Sequence, residues 1–138
     1  LQRAVDGTRD CSGAIVQIAL NYSGRQELTD VVRGAAVEAV AGALDPEAID
    51  EDWINGHLYT EGTQDPDLLI RTSGEQRISN FLLWQVAYTE IYFCPSLWPD
   101  FSKADLLSAI LEFQQRERRF GGLVSDADVF TPPGATLG

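Results

Sequence analysis

From Ala14 to Leu20 the chain reads Ala-Ile-Val-Gln-Ile-Ala-Leu, a nearly continuous apolar run that predicts a strand buried on both faces, as in parallel sheets. The polar turn Asn21-Tyr22-Ser23-Gly24 follows. Beyond it Leu28, Val31, Val32, Ala35, Ala36, Ala39 and Val40 recur at helical spacing, with Gln26, Asp30, Arg33 and Glu38 between them. A second unit of the same kind starts at Leu68-Leu69-Ile70 and crosses the polar segment Arg71 to Arg77. It then enters the apolar run Phe81 to Tyr88, which predicts a buried helix with Ser79 as its N-cap. Ile91-Tyr92-Phe93 predicts a short strand stopped by Pro95. Ser102 and Asp105 open a last helix whose Leu106, Leu107, Ile110, Leu111 and Phe113 are expected to face the core, with Gly121-Gly122 ending it.

Strands alternating with helices predict an α/β fold with a mostly parallel sheet flanked by helices, in which ligands gather at strand carboxyl ends. Both polar turns fall at such ends. Residues 1–122 are expected to form one domain part, and the Thr, Pro and Gly content of 123–138 suggests a loose tail.

Composition narrows the function classes. With 21 acidic and 10 basic residues the net charge is −11, which excludes nucleic-acid binding driven by phosphate neutralisation and requires a local arginine cluster for any anionic substrate. Eight carboxylates between Asp45 and Asp67, unbroken by Lys or Arg, are expected to form a solvated face. No apolar run reaches the ~20 residues of a spanning helix. The opening Leu1-Gln2-Arg3 has no basic-then-apolar leader, and Cys11 and Cys94 fit no disulfide or metal spacing, so both thiols are expected free in a reducing, cytoplasmic setting. His57 is the single histidine, so a His-based metal site is unsupported.

The chemistry concentrates between Asp67 and Glu90. Arg71, Thr72, Ser73, Arg77 and Ser79 surround a strand end and an expected helix start, where backbone N–H groups, the helix dipole and two guanidinium forks favour a doubly phosphorylated group. A P-loop and a serine-nucleophile elbow are absent by spacing. Glu90, isolated among apolar residues, must be paired or metal-associated if buried; the residues alone leave a ligand role and a plain salt bridge to an Arg about even.

The segment from Asp67 through Ile70-Arg71-Thr72-Ser73-Gly74-Glu75-Gln76-Arg77-Ile78-Ser79-Asn80-Phe81-Leu82-Leu83-Trp84-Gln85 closely resembles the signature of cis-prenyltransferases of the undecaprenyl diphosphate synthase kind. The resemblance continues through Tyr88 to Phe93 and Leu97 to Phe101, with weaker matches at Asn21 to Arg25 and Arg116 to Gly122, about residues 13 to 122 in all. It implies a transferase that condenses isopentenyl diphosphate with an allylic prenyl diphosphate into a cis-polyprenyl diphosphate, with Mg²⁺ as cofactor. Arg71, Arg77 and Ser79 would hold the isopentenyl diphosphate, with Asn21 and Arg25 in a loop beside the substrate phosphates. Glu90 would serve the diphosphate and its Mg²⁺, which favours the ligand role, and Arg119 with Gly121 would reach a partner's site in a homodimer. Membrane contact is expected only peripherally, through a lipid product. Ser23 and Ser73 stand where the family often has Gly, and Gln76 where it often has His. The family's Asp-Gly-Asn-Arg-Arg-Trp-like allylic motif has no match, Asp6-Gly7-Thr8-Arg9 being too poor, so the chain is expected to carry the isopentenyl half-site alone. A non-catalytic partner subunit, which would tend to lose the Arg-Thr-Ser-Gly-Glu segment, and a phosphate-binding module are the rival readings.

Overall fold

The computed structural model describes residues 2–116, so the expectations placed on Arg119, on Gly121 and on the 123–138 tail lie outside the described residues. The elements in chain order are α1 (Gln2–Thr8), α2 (Gly24–Val40), α3 (Glu51–Asn55), β1 (Leu68–Arg71), β2 (Glu90–Phe93) and α4 (Lys103–Gln115). Two units are distinguished: residues up to 69 with 76–89, and residues 70–75 with those from 90 onward.

In the first unit α2 follows from its sequence. Ser23, extended at φ −146°, accepts a hydrogen bond from the Gln26 N–H at 3.2 Å and so caps the helix. The buried face runs Gly24, Glu27, Val31 and Ala35, one residue per turn. Leu58 and Val86 complete the buried apolar set of this unit. All eight carboxylates from Asp45 to Asp67 are exposed, as the solvated-face reading expects, and Asp50 caps α3 by accepting the Trp53 N–H at 2.8 Å.

Two expected elements of this unit are absent. Ala14 to Leu20 is not a strand: it runs without ladder partners, and Ile15 and Val16 are 79% and 80% exposed. A strand exists only beside another, and among the described residues none lies against this segment. Phe81 to Tyr88 is a series of turns instead of a buried helix, and Ser79 is no N-cap. Positive φ angles at Ser79, Asn80 and Leu82 (50°, 63° and 47°) interrupt the right-handed path a helix requires.

In the second unit β1 and β2 pair in parallel: the Cys94 N–H donates to the Arg71 carbonyl at 2.7 Å and the Ser73 N–H to the Ser96 carbonyl at 2.8 Å, so both partners advance together. The parallel α/β character is therefore as expected, with two strands where about three were anticipated. Buried Cys94 and Ala109 join β2 to α4. The Ser102–Asp105 capping box is present in full. The apolar face of α4 is not covered as expected, since Leu106, Leu107, Ile110 and Leu111 are exposed and Ala109 alone is buried. Two strands of four residues offer less apolar surface than a 13-residue helix can cover.

Asp105 accepts from the Ser102 hydroxyl at 2.6 Å, the Ser102 N–H at 2.7 Å and the Ser96 hydroxyl at 3.0 Å, and these bonds hold its carboxyl below the usual carboxylate range. A depressed folded pKa contributes stability that is complete above the ordinary value of about 4 and is lost as pH falls through the lowered one. Urea unfolding of Ser102→Ala followed from neutral to acid pH should show a lower midpoint at neutral pH and a shallower loss on acidification than the parent.

Candidate functional site

The geometry of the Asn21–Arg25 loop is set by two polar anchors. The first is Glu27, 1% exposed on the inner face of α2. It accepts from the Tyr22 hydroxyl, from the Tyr59 N–H at 2.7 Å and from the Gln85 amide at 3.2 Å, while Gln85 also donates to the Thr60 hydroxyl at 3.0 Å. Burial and the bond to Glu27 push the Tyr22 phenol well above its usual range. Its ring meets Tyr59 and Phe81 edge-on at 6.3 and 5.7 Å. The second anchor is Asn80, whose Oδ1 accepts the Arg25 N–H at 2.9 Å and whose Nδ2 donates to the Ser23 hydroxyl at 2.8 Å. The side chains that sequence assigns to substrate here, Asn21, Arg25, Arg77 and Ser79, are all exposed. An apolar groove of about 490 Å³, lined among others by Ile18, Leu20, Tyr22, Tyr59, Phe81 and Leu82, adjoins Asn21.

Arg71 stands at the carboxyl end of β1, in the second unit, and forms an ion pair with Glu75. Its Nε is buried and has no hydrogen-bond partner. Ser73 and Gly74 follow with φ of 70° and 67°, so Ser73 sits in the left-handed region that glycine occupies at least cost, which accounts for the glycine found there in the family resemblance. Their N–H groups serve the carbonyls of Ser96 and Cys94. The expected cradle of helix N-terminal amides is thus not formed: no helix follows Ser79, and the α2 amides of Gly24, Arg25 and Gln26 are bound by Asn80 and Ser23. What remains for an anion is guanidinium and hydroxyl.

Glu90 opens β2, three steps along the ladder, or roughly 10 Å, from the residue facing Arg71. Its Oε2 accepts from Arg116 Nη1 at 2.9 Å, and the same nitrogen donates to the Ile91 carbonyl at 2.9 Å. The salt bridge to an Arg, one of the two readings of Glu90, is therefore formed. Arg116 also pairs with Glu112 at 2.5 Å, and the hydrogen bonds it donates to Glu112 and Glu90 raise its pKa. Among the described residues no three His, Cys, Asp or Glu side chains converge as a metal cage. Cys94 is buried and Cys11 exposed, both as free thiols.

Sequence reasoning missed Glu27 and assigned Asn80 no role. For Glu27 a signal existed, since it lies four residues before Val31 and eight before Ala35, on the apolar face of α2.

The parallel pairing of β1 and β2 beside helices makes this an α/β chain. The chain belongs to the undecaprenyl diphosphate synthase family of prenyltransferases, whose model matches residues 1–121. It is 50% identical over 123 residues to an isoprenyl transferase of Listeria innocua, covering 89% of this chain and 49% of that one. It is 53% identical over 121 residues to an isoprenyl transferase of Chlorobaculum tepidum, covering 88% and 46%. Among solved structures it resembles lavandulyl diphosphate synthase from Lavandula x intermedia, crystallised with dimethylallyl diphosphate, at a TM-score of 0.75 and 43% identity over 87% of this chain and 53% of that one. The chain spans about half the length of the curated relatives it matches.

Replacing Glu27 by Ala strands a buried phenol, an amide and a backbone N–H, so unfolding in urea should show a loss of about 3 kcal/mol or more. Glu27→Gln keeps one acceptor oxygen and should lose less than half as much. In both variants the Tyr22 phenol should titrate at lower pH than in the parent, read by ultraviolet difference spectra.

Proposed function

We propose that the protein condenses isopentenyl diphosphate with an allylic prenyl diphosphate, lengthening a cis-polyprenyl chain and releasing diphosphate, and that this chain carries the isopentenyl diphosphate half-site. The observation that carries the reading is the buried, unpartnered Nε of Arg71 at a strand's carboxyl end in a chain of net charge −11. A buried N–H donor on a permanent cation costs free energy until an anion meets it. A diphosphate presents oxygens in the planar, bidentate arrangement a guanidinium matches. Arg77 and Ser79 supply a second cation and a hydroxyl, and Asn21 and Arg25 belong to the loop beside the phosphates. The groove of about 490 Å³ suits hydrocarbon, as an isoprenoid requires. The relative crystallised with dimethylallyl diphosphate supports a prenyl diphosphate as ligand class.

The donor set fits Mg²⁺ of a particular kind. Among the described residues Glu90 is the candidate carboxylate, and with Oε2 bonded to Arg116 it would leave part of the ion's shell to phosphate oxygens and water. When bound, it would neutralise charge on the departing diphosphate. This chain's arginines bind and orient the diphosphate and contribute preorganised positive charge, with no covalent enzyme intermediate. A homodimer is part of the proposal: the exposed Leu106, Leu107, Ile110 and Leu111 of α4 give an apolar face for a second copy, and Arg119 with Gly121 would reach the partner's site. We place the protein in the cytoplasm, touching membrane only peripherally through its lipid product.

Separate calorimetric titrations of the two substrates against the intact protein test the reading. Arg71→Ala and Arg77→Ala should each remove a contact of roughly 1.5–3 kcal/mol, about ten- to a hundredfold in affinity for isopentenyl diphosphate, with little change for the allylic diphosphate. Arg71→Lys and Arg77→Lys keep the charge without the fork and should recover part of the loss. Equal weakening for both substrates, or none for either, would overturn the assignment.

A further inference from the structure

Asn80 is bound on three sides by the start of α2. Its Oδ1 accepts the Arg25 N–H at 2.9 Å, its Nδ2 donates to the Ser23 hydroxyl at 2.8 Å, and its carbonyl accepts the Gly24 N–H at 2.9 Å. It does so from the left-handed region, φ 63°, which Asn enters more readily than most residues. The two segments are pressed together so closely that a Cβ on Gly24 would stand 2.9 Å from the Leu83 Cγ and 3.1 Å from the Asn80 carbonyl oxygen. Gly24 is thus demanded by approach, and Asn80 by hydrogen bonding. On either side of this joint lie the exposed polar side chains, Asn21 and Arg25 on one segment, Arg77 and Ser79 on the other.

We infer that Asn80 is a positioning residue that locks the Asn21–Arg25 loop to the Arg77–Ser79 turn, so that the two segments present their polar side chains to a substrate diphosphate as one frame. The inference rests on the half-site reading above. Asn80 touches no phosphate itself. It occupies the α2 N-terminal amides, and through them it fixes the spacing of groups that must act together. Displacing such groups by about 1 Å can cost up to roughly a hundredfold.

The test is isopentenyl diphosphate binding to the intact protein by calorimetry, with KM and kcat beside it. Asn80→Ala opens the joint from one side and Gly24→Ala forces it from the other. Ser23→Ala, which removes only the Nδ2 partner and the cap, is the mild variant should either of the others fail to fold. Val31→Ala, which cuts a cavity into the same helix away from the joint, is the control for lost stability. Both joint variants are expected to bind roughly tenfold more weakly, Ser23→Ala several-fold, with KM rising more than kcat falls. The control should lower the thermal midpoint and leave binding unchanged. Binding by the unsubstituted protein that the joint variants do not weaken, or that Val31→Ala weakens equally, overturns the inference alone. No binding by the unsubstituted protein overturns the half-site reading and the inference with it.

Discussion

A buried carboxylate with no cation beside it among the described residues sets the terms for the first unit. Removing Glu27 from water costs several kcal/mol unless its lone pairs are met by donors, and the donors come from three separate stretches: the Tyr22 phenol, the Tyr59 backbone and the Gln85 amide. Each stretch is irregular, so no helix or sheet ladder dictates where it goes. The apolar core of this unit is thin, with Val31, Ala35, Leu58 and Val86 as its buried members. Four small-to-medium side chains specify little shape on their own. The carboxylate therefore selects one arrangement by the penalty every other arrangement would carry.

Where hydrogen-bond chemistry is local, the sequence was a sufficient guide. The Ser102–Asp105 box and the α2 helix follow from residues within a few positions of one another. The failures share a cause at longer range. Ala14 to Leu20 has a strand's composition, yet a ladder needs a neighbour and periodicity says nothing of one. Phe81 to Tyr88 has a helix's composition, yet Asn80 is recruited by Ser23 and Arg25, 57 and 55 residues earlier, and the left-handed turn this requires continues to Leu82. Tertiary demand overrode propensity there. Asn80 carried a hint in its tolerance of positive φ; Leu82 carried none. Within the candidate site, the arginines were picked by type, because only guanidinium and ammonium groups can offset so acidic a chain. Glu27 was missed because an acid on a helix reads as solvent-facing until its register with Val31 and Ala35 is traced.

Arg71 and Arg116, both in the second unit, pair their charges differently. Glu75 fixes one arm of the Arg71 fork, which orients the guanidinium before any ligand arrives and leaves Nε as the donor in need. In the half-site proposed above, an anion would gain a charge-assisted bond without the entropy of ordering a long side chain. Arg116 is used differently. Bound to Glu90, Glu112 and the Ile91 carbonyl, it is already satisfied, and its bonds to Glu90 and Ile91 tie the end of α4 to β2.

Range separates these local contacts from the field of the whole chain. A net charge of −11 repels a diphosphate at a distance, but at physiological ionic strength that repulsion is screened within about 8 Å. The exposed carboxylates from Asp45 to Asp67 belong to the screened part. A contact to the half-buried Arg71 guanidinium would be screened far less. Moderate salt therefore suppresses the unfavourable long-range field before it weakens the favourable short-range one. For the half-site proposed above, this chain's own charge would give no long-range steering, and affinity would fall to the geometry of its arginines. Anchors such as Glu27 and Asn80, which hold the loops carrying the proposed polar side chains, would then matter to a site made of so few.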